Sequence, residues 1–185
     1  MINISALLDH YDELQALLSE QNDVPVFDPL SIQHLVGRQF QEYWQSQTQP
    51  ESKSRRKSAQ YWIDQIDTWI SDQLIAEGIV PAHDVPMNTE TPGHAFHRIS
   101  KLIFERNKLE VACESPDVIA QERQEYHHRL AICMLQIDDI TQGLQLLINE
   151  IHQGRKRHRS YQQIHMYNDP EMNNYLHQAE RRMAG

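Results

Sequence analysis

The sequence SPDVIAQERQEYHHRLAICMLQIDDITQGLQLLINEIHQG, from Ser115 to Gly154, decides the fold. Its apolar residues recur in alternating steps of three and four, with one gap at Arg123, and this spacing places them on one face of an α-helix. Ser115 suits the N-cap, Pro116 suits the first helical position, and Gly154 suits the C-terminal end. The predicted buried stripe consists of Ile119, Tyr126, Leu130, Cys133, Ile137, Ile140, Leu144, Leu147 and Ile151.

A helix over this whole stretch would be longer than a compact chain of the same size. About 38 residues, each rising about 1.5 Å, give a length of roughly 57 Å. A globule of 185 residues has a diameter of roughly 40 Å. The excess length predicts a bend near Gly143, an elongated bundle, or one end that reaches a partner. We therefore expect a homo-oligomer, specifically a homodimer packed partly along this helix.

Four other segments show helical spacing and are joined by polar or proline-containing connections. They are residues 3–20, a helix from Ser31, a helix from about Lys53 or Arg55 to Glu77, and a helix after Thr91 with Pro92 first. Loops are predicted over 45–54 and 78–93, and residues 155–185 are predicted as a basic segment, a turn and a short terminal helix. The expected fold class is all-α: a single domain over residues 1–185, an elongated bundle of about five main helices with one long central helix.

The charge of the chain limits the classes of partner. Asp and Glu number 26 against 17 Lys and Arg, which gives a formal net charge of -9. Nucleic acid is an unlikely partner, because neutralising phosphates requires a net basic surface. The charge is also segregated, since residues 1–37 contain no Lys or Arg whereas basic residues cluster at 53–57 and 155–159. Such regions attract each other within one molecule or between two.

The sequence predicts no metal, no cofactor and no membrane span. Cys113 and Cys133 cannot form a disulfide framework, and no CxxC pair is present for zinc. The N-terminus lacks the basic and then apolar pattern of a signal peptide, and no apolar run approaches the about 18 residues that a transmembrane helix needs. We expect a cytoplasmic protein.

Two short motifs within the long helix match catalytic spacings, but their geometry argues against a site. Glu125 and His128 form the Glu-x-x-His unit of carboxylate-bridged metal bundles, yet they lie off the buried stripe and have no second unit. Arg123 and His128 have the Arg-x4-His spacing of helical ribonuclease toxins. Five residues separate these two side chains by about 140° around the helix, so one helix does not easily bring them together. A surface pair and a coincidence are the favoured interpretations.

The start of the fourth helix carries a candidate anion site. His94 and His97 lie one turn apart, Arg98 follows, and exposed backbone N–H groups in a first helical turn favour anions. Histidine there could also act as an acid or base near neutral pH. The plainer interpretation, which we favour, is an ordinary polar helix start.

The basic run 155–159 and the turn after it complete the candidate site. Cations at the C-terminus of a helix offset its dipole, but five basic-type residues exceed what capping needs. Asp169 precedes Pro170 and could contact a ligand or simply cap the final helix, two roles that the sequence leaves equal. The predicted ligand-binding residues are His94, His97, Arg98, Arg155, Lys156, Tyr167, Asn168 and Asp169.

Three stretches of the C-terminal half carry a family resemblance. They are Thr89-Glu90-Thr91-Pro92-Gly93, His97-Arg98-Ile99-Ser100, and Gly154-Arg155-Lys156 leading to Met166-Tyr167-Asn168-Asp169-Pro170. Over roughly residues 32–173 the chain resembles an uncharacterised bacterial family, the domain-of-unknown-function family numbered four-two-five-four. The resemblance implies a helical intracellular protein from a family that occurs near glycosyltransferase and envelope-polysaccharide genes.

The chain departs from that family in two places. Gln45-Ser46-Gln47 follows Trp44 where members have an acidic pair, and His97 stands where members tend to have Asp. A catalytic role that rests on those acids is therefore not implied for this chain.

Three functions remain open. The first is a helical binding or accessory module, without catalysis, for an anionic ligand (phosphate-bearing or sugar-linked) or for a protein partner, with a link to envelope polysaccharide synthesis. The second is an enzyme on a phosphorylated or nucleotide-sugar substrate, with His94 or His97 as acid or base and Arg98 and Arg155 neutralising charge. The third is an RNA-directed helical ribonuclease with the Arg123–His128 spacing, in which basic side chains beside Tyr161 and Tyr167 would hold the RNA. The absence of a legible carboxylate pair or nucleophile–base pair favours the first.

Overall fold

The computed structural model describes residues 2–20, 28–49, 58–81 and 84–160. These ranges contain five helices: α1 (Ile4–Ser19), α2 (Ile32–Thr48), α3 (Ala59–Ala76), α4 (Pro92–Glu114) and α5 (Ala120–His152). They contain no β-strand, only an isolated bridge between Met87 and Arg157. The prediction of an all-α bundle is confirmed. None of the described helices is long and apolar enough to cross a membrane.

Side-chain oxygens start the first four helices. Asn3, Ser31, Ser58 and Thr91 each occupy the N-cap and each accept a hydrogen bond from the backbone N–H three residues later. This bond satisfies one of the amide groups that a helix start leaves unpaired. Pro92 then takes the first helical position of α4, as the sequence predicts.

Two glycines end helices. Gly78 and Gly154 have φ values of 68° and 67°, the left-handed conformation that side chains with a Cβ disfavour. After α5, the backbone N–H of Gly154 donates to Ile151 O and that of Arg155 donates to Glu150 O. These bonds satisfy the last carbonyls of the helix. The predicted end at Gly154 is therefore correct.

The predicted start of the long helix is wrong by several residues. Ser115 is the C-cap of α4, and α5 begins at Ala120 after Ile119, whose side chain is 61% exposed and does not belong to the buried stripe. Because α4 extends to Glu114, the next residues have to reverse the chain into α5. The 33 residues of α5 span about 50 Å.

Arg123, the gap in the apolar stripe, holds this reversal together. Its Nη2 donates to Ser115 O at 2.9 Å and to Val118 O at 3.2 Å. A guanidinium at this position therefore supplies donors to two carbonyls of the loop between α4 and α5. It is also unavailable for the ribonuclease-like pair with His128, which is exposed.

Other boundaries shift by a few residues. α2 continues to Thr48, which is four residues into the predicted 45–54 loop. α3 begins at Ala59, later than predicted, and residues 50–57 lie outside the described ranges. The predicted terminal helix and Tyr167, Asn168 and Asp169 also lie outside them.

α4 is the central element, because it packs against each of the other four helices. Its Phe96, Ile99 and Ser100 are fully buried. The Tyr11 hydroxyl of α1 donates to Phe96 O at 3.1 Å, so even the polar end of this buried ring is satisfied. α4 and α5 run antiparallel, because Arg129 contacts Glu105 while Cys133, further along α5, contacts Leu102, which is earlier in α4. The position of α4 fixes which of its residues reach the surface.

Arg123→Ala should destabilise the α4–α5 reversal. The loss of two hydrogen bonds to loop carbonyls should lower the free energy of unfolding by about 1–3 kcal/mol. Chemical denaturation measures the change. The matched control is Arg129→Ala, whose half-exposed ion pair with Glu105 is worth less than about 1 kcal/mol. Equal losses in the two variants would contradict this role.

Candidate functional site

α4 starts against the middle of α3 with almost no space between the two backbones. A Cβ added at Gly93 would lie 2.5 Å from Ile63 O and 3.0 Å from Asp67 Cγ. Real Cβ atoms do not come that close to a carbonyl oxygen, so glycine is required there for steric reasons. This approach brings Asp67 to the first turn of α4.

Asp67 is a buried carboxylate that caps α4 from a neighbouring helix. It is 2% exposed, and its Oδ1 accepts a hydrogen bond from Gly93 N at 2.8 Å. Burial raises its pKa, while hydrogen bonds from Thr91 and Gly93 and the charges of His158 and His94 act in the opposite direction. Those donors and the positive end of the α4 dipole stabilise the ionised form.

The backbone N–H groups of this helix start, which the sequence offered as one possible anion site, are used within the fold. Gly93 N donates to Asp67, His94 N donates to Thr91 Oγ1, and Ala95 N donates to Thr91 O. Pro92 has no N–H. The protein's own carboxylate already occupies the anion position, so any external anion has to be held by side chains.

Thr91 links Asp67 to His94. The Thr91 hydroxyl bonds to the Asp67 carboxylate, and Thr91 Oγ1 lies 2.9 Å from His94 Nδ1. A threonine has one hydroxyl proton. When Asp67 is ionised that proton goes to the carboxylate, and His94 Nδ1–H must donate to Oγ1. In this tautomer the proton is on Nδ1, so Nε2 of His94 has a free lone pair. The His94 side chain is only half-buried.

The surface of α4 beside His94 carries a second histidine and a lysine. His97 and Lys101 follow at intervals of three and four residues, so the three side chains share one side of the helix. We call His94, His97 and Lys101 the α4 ridge. Burial lowers the pKa of His97, and the neighbouring charges of Lys101 and His94 lower it further. The His97 ring meets Tyr43 of α2 edge-to-face, with centroids 5.7 Å apart.

A cleft of about 420 Å³ runs beside the ridge, between α4 and α5. Arg98 and Lys156 both line it, but each has a carboxylate partner: Arg98 Nη1 lies 3.0 Å from Glu90, and Lys156 Nζ lies 3.2 Å from Glu150. Asn88 and leucines of α5 complete the lining. The charged side chains that line the cleft therefore pair with one another, and the leucines give it an apolar wall.

The rest of the basic run is mostly structural. Arg157 Nε donates to Val85 O, and His158 Nε2 donates to Asp67 O at 2.8 Å. The basic run is therefore hydrogen-bonded to the 84–87 segment and to α3. Arg155 is exposed and does not line the cleft. Of the predicted residues, the structure brings Arg98 and Lys156 together in the cleft and leaves His94 and His97 on the ridge alongside.

Sequence reasoning missed several residues of this region. Lys101 continues the spacing of His94 and His97 by four residues, so the same periodicity could have included it. Asp67 lies one turn after Ile63 on the apolar stripe of α3, and an acid in such a stripe signals a buried, hydrogen-bonded role. Tyr43 gave no signal, because its contact with His97 depends on how α2 crosses α4.

The metal-like motif lies on the surface. Glu125 and His128 are both exposed on α5. Among the residues that the structure describes, no three His, Cys, Asp or Glu side chains are grouped closely enough to hold a metal ion.

A sequence model described as Protein of unknown function (DUF4254) matches residues 52–160. The chain belongs to this family. The match confirms the predicted resemblance and includes Asp67, Thr91, the α4 ridge and the cleft. No curated protein and no solved structure gives a significant match to the chain. The family assigns no activity, so the function has to be argued from the site.

Gly93→Ala should strongly destabilise the protein. The new methyl group would overlap Ile63 O and push α4 away from Asp67, which we expect to cost about 2–4 kcal/mol of unfolding free energy. Gly143→Ala is the matched control, since a Cβ there meets nothing within 4 Å. In a helix interior that change should stabilise by about 0.5–1 kcal/mol. Thermal and chemical denaturation measure both, and a Gly93→Ala variant as stable as wild type would contradict the packing.

Proposed function

We propose that this protein is a helical binding module for a phosphate-bearing ligand, with the anionic group held on the α4 ridge. The observation that carries the proposal is the grouping of His94, His97 and Lys101 on one side of α4. The ridge side chains belong to a helix whose first backbone donors are already used internally. Recognition by side chains alone suits an exposed, exchangeable anion.

The electrostatics of the ridge support an anion. The pKa of His97 is lowered partly because Lys101 and His94 place positive charge beside it. An anion between these groups would remove that repulsion and stabilise the imidazolium form of His97. Ligand binding and proton uptake are then coupled. Lys101 is exposed and has no ion-pair partner within the described ranges.

The cleft beside the ridge suits the remainder of such a ligand. Its carboxylates, the Asn88 amide and the Arg98 guanidinium offer donors and acceptors for hydroxyl groups, and its leucines offer an apolar wall. This combination of a few polar groups and an apolar surface is typical of small-molecule sites. A phosphorylated sugar fits both parts, in keeping with the polysaccharide link that the family resemblance implies.

Sulfate binding tests the ridge, because sulfate does not titrate in the relevant pH range. As pH falls from about 6.5, the affinity for sulfate should rise, since the anion favours the protonated form of His97. Lys101→Gln should weaken binding by about threefold to tenfold. Histidine chemical shifts and calorimetry measure both effects.

The control for this experiment lies on the same helix. Lys108→Gln removes an exposed lysine that pairs with Glu105 at 3.2 Å, and it should leave sulfate affinity unchanged. An affinity that does not depend on pH, or an equal loss in both lysine variants, would refute an anion site on the ridge.

The hydrogen bonds that link Asp67, Thr91 and His94 favour a second candidate function, acid–base catalysis on the same ligand. It fixes the tautomer of His94 and leaves Nε2 able to accept a proton. Purified protein incubated with nucleotide sugars would then release nucleoside phosphate, and His94→Gln would abolish that release. Sulfate binding without turnover of any such substrate supports the binding module alone.

A further inference from the structure

α5 has a second apolar surface, opposite to the face that it buries. Ile132, Met134 and Leu135 are 43%, 52% and 63% exposed, and Ala131 beside them is exposed as well. Helical spacing places the buried seam, for example Cys133 and Ile137, on the other side. We call Ala131, Ile132, Met134 and Leu135, which point away from this seam, the outward patch. Three large apolar side chains adjacent on one helix are more than isolated surface residues.

Opposite chemistries flank the outward patch at equal distances. His127 and His128 precede it, and Asp138 and Asp139 follow it, and all four side chains are exposed. None of the four has an ion-pair partner in the part of the chain that the structure describes. The midpoint between the histidines and the aspartates is residue 133, which is also the middle of the patch.

We propose that α5 pairs with α5 of a second copy of this chain, antiparallel, across a two-fold axis beside residue 133. In this register Ala131 faces Leu135 of the other copy, and Ile132 and Met134 flank this contact, one on each side. His127 and His128 of each copy lie opposite the aspartates at 138 and 139 of the other. Because a two-fold interface uses the same patch twice, its chemistry has to be self-complementary, and this one is.

The same register matches the ends of the helix. Leu146 is 64% exposed, and the axis beside residue 133 places it opposite Ala120 of the other copy, which is also exposed. Gly143 faces the Arg123–Gln124 region, and a Cβ at Gly143 would meet nothing within its own chain. The exposed apolar side chains at the centre of α5 and at Leu146 therefore gain apolar neighbours in one arrangement.

A parallel pair lacks this complementarity. There each residue would face its own copy, which places histidines against histidines and aspartates against aspartates. The antiparallel arrangement removes the repulsion between the aspartates and adds two imidazole–carboxylate contacts at each end of the patch. This inference names the face and the register of the homodimer that the length of the helix predicts, and it does not depend on the proposed ligand.

Light scattering and sedimentation of the full chain test the proposal. We expect a species of twice the 21.8 kDa chain mass, and Leu135→Glu should raise the dimer dissociation constant by about tenfold or more. Val111→Glu is the matched control, since Val111 of α4 is equally exposed at 63% and lies off this face. It should leave the dimer intact.

A charge exchange tests the register. Asp138→Lys with Asp139→Lys should weaken the dimer by leaving histidines opposite lysines, and His127→Glu with His128→Glu should weaken it by leaving four carboxylates together. Combining all four changes should restore it. A monomeric wild type, or a combined variant that stays monomeric, overturns the proposal. A monomer whose melting temperature falls in Leu135→Glu would instead mean that this chain's own residues 161–185 cover the patch.

Discussion

The contact between Asp67 and the first turn of α4 is the constraint on which the rest of the structure depends. A carboxylate without solvent is costly unless donors surround it. Here Gly93 N and the Thr91 hydroxyl provide them. Because Gly93 has no Cβ, α4 can approach α3 closely enough for these bonds to form. The direction of α4, the most connected helix of the bundle, follows from that approach.

The buried Asp67 side chain also determines what the surface can do. An ordinary helix start offers backbone N–H groups to an external phosphate, but in this protein those groups are used within the fold. The binding capacity that we propose lies one turn along, in the side chains at 94, 97 and 101. The Asp67–Thr91 pair still influences that surface, because Thr91 orients the His94 ring. The buried cap and the exposed ridge are thus one connected unit.

The sequence was sufficient to predict the helices but not to predict where each one begins and ends. Apolar spacing identified the α5 seam from Tyr126 to Ile151, and proline and threonine marked the start of α4 correctly. Ser115 was wrongly predicted as the N-cap of α5, because a serine before Pro-Asp suits that position. It is instead the C-cap of α4, whose C-terminal boundary depends on packing with α5. For the site, helical periodicity grouped His94 with His97. It could not reveal that Asp67, 26 residues away from Gly93 along the chain, reaches the same helix start.

The central claim is that the α4 ridge binds an anion while Asp67 fills the helix start. A crystal structure of the protein soaked in selenate tests it most directly, because selenium gives an anomalous signal that sulfur-containing side chains do not mimic at its absorption edge. The account predicts an anomalous peak within hydrogen-bonding reach of His94, His97 and Lys101, with Asp67 still bonded to Gly93 N. A selenate seated on Gly93 N in place of Asp67, or a ridge without a peak at saturating selenate, would contradict it.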